Sequence, residues 1–317
     1  MLRLVLTVLI CLLPLCGQAQ DYPREVTHRL GVTRIDHAPE RIVTIGYHEQ
    51  DFLYALGIAP VGVHEWFGNK PYASWVWADE PRRALGGRPA VQYGYEIDIE
   101  WVYAQKPDLI IASFYNLSPS LYHALSQIAP VITGPAGEDV WSVPWTDELR
   151  LIARATAREP QAEAVIAQIE NRISRIAQAN PAFRGQQATT GFYASDHFVG
   201  YDGRSGANAL LQQLGFVQPP VFDALAQSTG QFSVSRERID LFDRDVVLWL
   251  VDPASADAIR QMPLYRATRL ARDGRAIWAD PDLAAALSFM TPLSIPYALD
   301  RLEPLLQAAT RQRDPGP

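Results

Sequence analysis

Continuous apolar runs and helical periodicities alternate along most of the chain. Arg41-Ile42-Val43-Thr44-Ile45-Gly46 reads as a buried strand, Asp51 to Leu56 as a short helix closed by Gly57, and Pro60-Val61-Gly62-Val63 as a second strand. A helix over Asp98 to Gln105 stops at Pro107, and Asp108-Leu109-Ile110-Ile111-Ala112 is a run of the kind that parallel sheets bury on both faces. The pattern repeats with a helix near Ser118 to Gln127, a strand over Pro130 to Thr133 and a helix near Trp145 to Ala157. Glu159 to Ala179 then carries Ala162, Val165, Ile166, Ile169, Ile173 and Ile176 at three- and four-residue spacings, with its one proline, Pro160, in the first turn. That spacing predicts one long amphipathic helix. Beyond Asn180-Pro181 the alternation resumes: strands over Thr189 to Ala194, Val246 to Val251 and Arg275 to Ala279, helices over Asn208 to Leu214 and Arg236 to Phe242, and a final helix from Ile295 to Ala309 that Pro304 is expected to kink. The expected fold is α/β, two lobes with central parallel-type sheets joined by one long α-helix.

The 317 residues exceed the ~250–300 at which a single core usually stops growing, which agrees with two lobes. Gln20 to Glu40 reads as an extended polar lead-in. Before it, Arg3 and the apolar run Leu4 to Leu15 have the shape of a secretory leader, and Gly17-Gln18-Ala19 supplies small residues for cleavage after Ala19. A lipoprotein leader anchored at Cys16 is the competing reading, with bulky Leu15 where such sites take a small residue. Cys11 and Cys16 are the only cysteines, so the mature chain carries no disulfide. The organisation is thus 1–19 signal peptide, 20–157 first lobe, 158–180 linking helix and 181–317 second lobe, located in the periplasm. The formal charge of −7, with no basic stripe, argues against a nucleic-acid partner.

An ordered set of short motifs resembles the periplasmic substrate-binding proteins of ABC importers for iron–siderophore complexes and cobalamin. They are Pro39-Glu40-Arg41-Ile42-Val43, Ala55-Leu56-Gly57-Ile58-Ala59-Pro60-Val61-Gly62, Asp98-Ile99-Glu100-Trp101 with Lys106-Pro107-Asp108-Leu109-Ile110, Ile128-Ala129-Pro130-Val131, Leu210-Leu211-Gln212-Gln213-Leu214-Gly215, Ser235-Arg236-Glu237 and Gly274-Arg275. The resemblance implies two Rossmann-like lobes, a ligand cleft between them with limited hinge motion, and a monomer that delivers a ferric siderophore to an inner-membrane permease with its ATPase. It also implies that Glu100 and Glu237, one in each lobe, dock on arginines of the permease. The bland alternative is that both carboxylates sit at helix starts because the helix dipole favours them there.

Ligands of open α/β sheets sit beyond the carboxyl ends of strands, which singles out Tyr47 and His48, His64 to Phe67, Phe114 to Asn116 and Trp249 to Asp252. Six of the eight tryptophans and eight of the thirteen tyrosines fall between residues 47 and 145, a load suited to a bulky, partly apolar chelate. Tyr47, Trp66, Tyr115 and Trp249 are therefore the expected aromatic contacts. Arg88 and Arg204, in glycine-bearing loops, are the expected forks for the anionic oxygens of a ferric siderophore. His48, Glu49, His64, Glu65, His123 and His197 show no metal-ligand spacing, so no protein-held metal and no resident cofactor are expected. Neither a nucleophile elbow nor a phosphate-cradling loop is present, so the chain reads as a binding protein and not an enzyme. The readings kept beside it are a haem, cobalamin or divalent-metal binding protein of the same class, and a cell-envelope α/β enzyme.

Overall fold

The computed structural model describes residues 22–137, 140–226 and 230–311. The leader, with Cys16 and the Ala19 junction, lies outside them. The polar lead-in is a hairpin of β1 (Arg24–His28) and β2 (Gly31–Ile35), whose alternate residues Val26, His28, Thr33 and Ile35 are buried. The first lobe is then built on β3 (Ile42–Thr44), β4 (Gly62–His64), β5 (Ala90–Gln92), β6 (Leu109–Ala112) and β7 (Val131–Thr133), all parallel in the order β5-β4-β3-β6-β7. β3, β6 and β7 are buried along their whole length, the reason their sequences are unbroken apolar runs ending in a small polar residue or alanine. Strand order reverses between β3 and β6.

The second sheet is mixed. β8 (Ala188–Ala194), β9 (His197–Tyr201), β10 (Gln231–Ser235), β11 (Val246–Trp249) and β12 (Ala276–Trp278) lie in the order β10-β9-β8-β11-β12. β8, β11 and β12 are parallel, while β9 runs against both β8 and β10. The expected helix over Arg236–Phe242 is a 3-10 helix with a break at Arg238. The final helix, Ser294–Thr310, runs through Pro304 as one element.

Between the sheets, a single helix spans Glu159–Ala179 and buries Ala162, Ile166, Ile169, Ile173 and Ile176. Its 21 residues extend over about 31 Å. Ala162 and Ile166 belong to the apolar core of the first lobe, and Ile169, Ile173 and Ile176 to that of the second. The lobes are also joined directly. Trp75 and Trp77 stack at 5.3 Å and 4° and reach across to Phe289 and Tyr297, within the same core as Ile295 and Leu299.

Candidate functional site

The switch point between β3 and β6 opens toward the second lobe, where a cavity of about 480 Å³ lies, within the range of small-ligand sites. Trp66, Phe114, Trp141 and Trp145 supply the first lobe's wall, Arg204, Leu210, Leu250 and Met290 the second's, and Glu170 comes from the linking helix.

Trp66 follows β4 and stacks on Tyr47 at 5.7 Å and 19°. Tyr47 is buried, touching Trp141, Tyr115 and His64 at ring separations of 6.5, 5.7 and 5.0 Å. It thus stands behind the wall as its backing. Tyr115 does the same from the loop after β6, donating its hydroxyl to the Tyr95 carbonyl at 3.0 Å. Burial pushes both phenols above their ordinary pKa, so they remain neutral. Both ring nitrogens of His64 face backbone carbonyls, those of Ile45 and Gly94, which makes it a structural histidine.

Arg204 lines the cavity, and its Nε donates to Asp202 Oδ2 at 2.8 Å. Buried Asp202 also accepts from the Arg204 and Ser205 amides, each at 3.0 Å, which fixes the loop. Arg88 and Trp249 are elsewhere. Arg88 is exposed just before β5, whose first residue Ala90 pairs with Gly62 at the start of β4, so it sits at the amino end of the parallel sheet, opposite the cleft. Trp249 is fully buried in the second core, 5.1 Å from Phe242, 5.5 Å from Phe198 and 6.0 Å from Trp278. Successive strand residues face opposite ways, and the next residue, Leu250, takes the cleft position.

Glu100 and Glu237 are exposed. Glu100 follows the carboxyl end of β5, on a helix whose N-cap is Asp98, which accepts from the Glu100 and Trp101 amides at 2.9 and 3.0 Å. The Glu100 carboxylate has no hydrogen-bond or ion-pair partner among the described residues. Glu237 follows the carboxyl end of β10, which points the same way as those of β8 and β11. A hydrogen bond from Ser235, with Arg236 beside it, holds its carboxyl below the usual range.

One feature of the cleft floor does not follow from the motifs. His48 Nε2 lies 3.1 Å from both carboxylate oxygens of Glu148, and its Nδ1 lies 2.9 Å from the Phe289 carbonyl of the second lobe. Burial disfavours the imidazolium, yet Glu148, with help from Glu49, raises the His48 pKa to about 9. Glu148 also accepts from Ser113 Oγ at 2.6 Å, and Glu49 accepts from the Phe114 amide at 2.9 Å. Gly46 makes room for this: a Cβ there would lie 1.8 Å from Glu49 Oε1. Beside it, Asp51 accepts from Trp77 Nε1 and Thr291 Oγ1, each at 2.7 Å, and burial lifts its pKa to about 6. Among the described residues, no three His, Cys, Asp or Glu side chains are grouped to hold a metal ion. The signal available in the sequence was a His-Glu-x-Asp cluster, His48-Glu49-Gln50-Asp51, just past a predicted strand.

The model of the family described as "Periplasmic binding protein" matches residues 42–283. "Probable siderophore-binding lipoprotein YfiY" of Bacillus subtilis is 29% identical over 242 residues, 71% of this chain and 68% of that protein. The achromobactin-binding periplasmic protein of Dickeya dadantii is 28% identical over 182 residues, 56% of each chain. A crystal structure of a periplasmic solute binding protein from Mycobacterium smegmatis, 29% identical, superposes with a TM-score of 0.81 over 91% of this chain and 99% of that one. A family match across both sheets, joined to a two-lobed cleft with a single connecting helix, places the chain in the periplasmic binding protein family.

Proposed function

We propose that this protein captures a ferric siderophore between its lobes and hands it, without chemistry, to an ABC permease. The observation that carries the reading is the tryptophan-rich cleft at the switch point, with Trp66, Trp141 and Trp145 on its wall. An aromatic basin of this size suits a compact chelate with an apolar exterior and a metal centre shielded by its own donors. The names of the relatives support it, since they describe binding of siderophores, achromobactin among them. Delivery runs through Glu100 and Glu237, exposed carboxylates at the carboxyl edges of the two sheets, which suit electrostatic docking. The leader directs the chain to the periplasm, with cleavage after Ala19, and the mature protein acts as a monomer. Among the described residues no helix is long and apolar enough to cross a membrane.

Titration of intrinsic tryptophan fluorescence with ferric and iron-free siderophores tests this directly. Saturable quenching by at least one ferric chelate, with no turnover of it, is the expected result. No quenching by any member of a panel spanning hydroxamates, catecholates and citrate would overturn it.

A further inference from the structure

Arg88 and Arg204 together would have furnished two guanidinium forks, but the fold leaves one. Of the described side chains that line the cavity, those that carry charge are Arg204, His48, Glu148 and Glu170. His48 and Glu148 are buried against each other at 3.1 Å. Arg204 has the buried Asp202 carboxylate against its Nε at 2.8 Å. Glu170, exposed on the linking helix, adds a negative charge at the mouth. Among the described residues the lining therefore offers no excess of positive charge, and each cation in it has a carboxylate of this chain within hydrogen-bond distance. The rest of the described lining is aromatic, aliphatic or uncharged polar, including Thr190, Gln213 and Gln231.

From this we infer that the cleft selects a ferric chelate with no net charge, of the trihydroxamate type, and discriminates against trianionic tris-catecholate complexes. The inference rests on the siderophore reading above and narrows it. Three hydroxamates neutralise ferric iron, so the complex enters the cleft with no charge to desolvate, and its organic arms lie on Trp66, Trp141 and Leu250. Three catecholates leave the complex trianionic, and moving it out of water is costly without matching cations. Arg204 alone, already paired, does not supply them.

Ferrichrome and ferric enterobactin serve as probes in the fluorescence titration, with ferric citrate as a third chelate. Ferrichrome is expected to bind at least about tenfold tighter than ferric enterobactin, which is about 1.4 kcal/mol, and its affinity should be insensitive to salt. Equal or tighter binding of ferric enterobactin or ferric citrate overturns the inference while leaving the siderophore reading intact. Binding of none of the three removes that reading, and this inference with it. Because the two probes also differ in shape, Gln213→Arg separates charge from fit. An added cation on the cleft wall should shift the ratio of the two affinities several-fold toward ferric enterobactin. An unchanged ratio between the probes would show that charge does not set the preference.

Discussion

His48 of the first lobe donates its Nδ1 hydrogen to the carbonyl oxygen of Phe289 in the second, at 2.9 Å, while its other nitrogen is held by Glu148. The bond makes one imidazolium part of both the cleft floor and the lobe interface. Asp51 and Thr291 add a second polar link a few residues away on both sides of the contact.

This latch makes stability depend on pH. The folded-state pKa of His48 is raised to about 9 from an ordinary 6.5, so its contribution is complete below about pH 6.5 and is lost as pH rises through about 9. Asp51, raised to about 6 from 3.8, acts in the same sense at lower pH: its stabilisation fades as pH climbs from about 4 to 6. The urea midpoint of the wild type should therefore fall between roughly pH 6.5 and 9.5, and His48→Gln should flatten that slope. A slope that survives the substitution would assign it to other groups.

Glu148→Gln leaves a buried imidazole without its counter-charge. Removing one partner of a buried pair costs about 3–5 kcal/mol, and chemical denaturation should register a loss of that size. Gly46→Ala attacks the same network sterically through Glu49 and should destabilise it too.

Replacing Trp66 with Ala should weaken chelate binding by about 2 kcal/mol or more, roughly thirtyfold in Kd, with folding retained. Arg88→Ala should change affinity less than about twofold, because Arg88 lies at the other end of the sheet. Trp249→Ala should instead cost about 3–5 kcal/mol of stability as a core cavity. Binding and denaturation measured on the same three variants check the assignment.

The Glu100→Ala, Glu237→Ala double variant should keep wild-type ligand affinity and lose iron uptake through the cognate importer. Neither carboxylate borders the cavity. Since Asp98 already caps its helix and Glu237 starts a 3-10 turn, stabilisation of helix dipoles is a weak rival. Normal uptake by the double variant would revive it.

Much of the frame was readable because burial writes itself into sequence. β3, β6, β7 and β11 are covered on both faces, so each is a continuous apolar run, and the linking helix keeps its three- and four-residue spacing to the last turn. β9 and β10, antiparallel neighbours far apart in sequence, carry no apolar run because their alternate residues are exposed or half-buried. The helix Pro281–Phe289 is buried over most of its surface and so has no polar stripe to reveal a period. Arg88 falls at the wrong end for a related reason: β5 is three residues, half-buried Ala90 and Val91 and a buried polar Gln92, and without it the preceding loop cannot be assigned to an end of the sheet. Trp249 missed the cleft by one residue, since the rule that names strand ends does not say which face a side chain takes. The His48–Glu148 pair spans 100 positions and exists only once the lobe has closed around it.

Because one helix threads both hydrophobic cores, its residue count is locked. An insertion of one residue between Ile166 and Ile169 would turn everything beyond it by about 100° and advance it by about 1.5 Å. Only one lobe could then keep its grip on the helix, and the other would be left facing away from the cleft. Changes of length are accordingly expected to be accommodated in loops, while the segment 159–179 should tolerate exchange of side chains but not gain or loss of a single position.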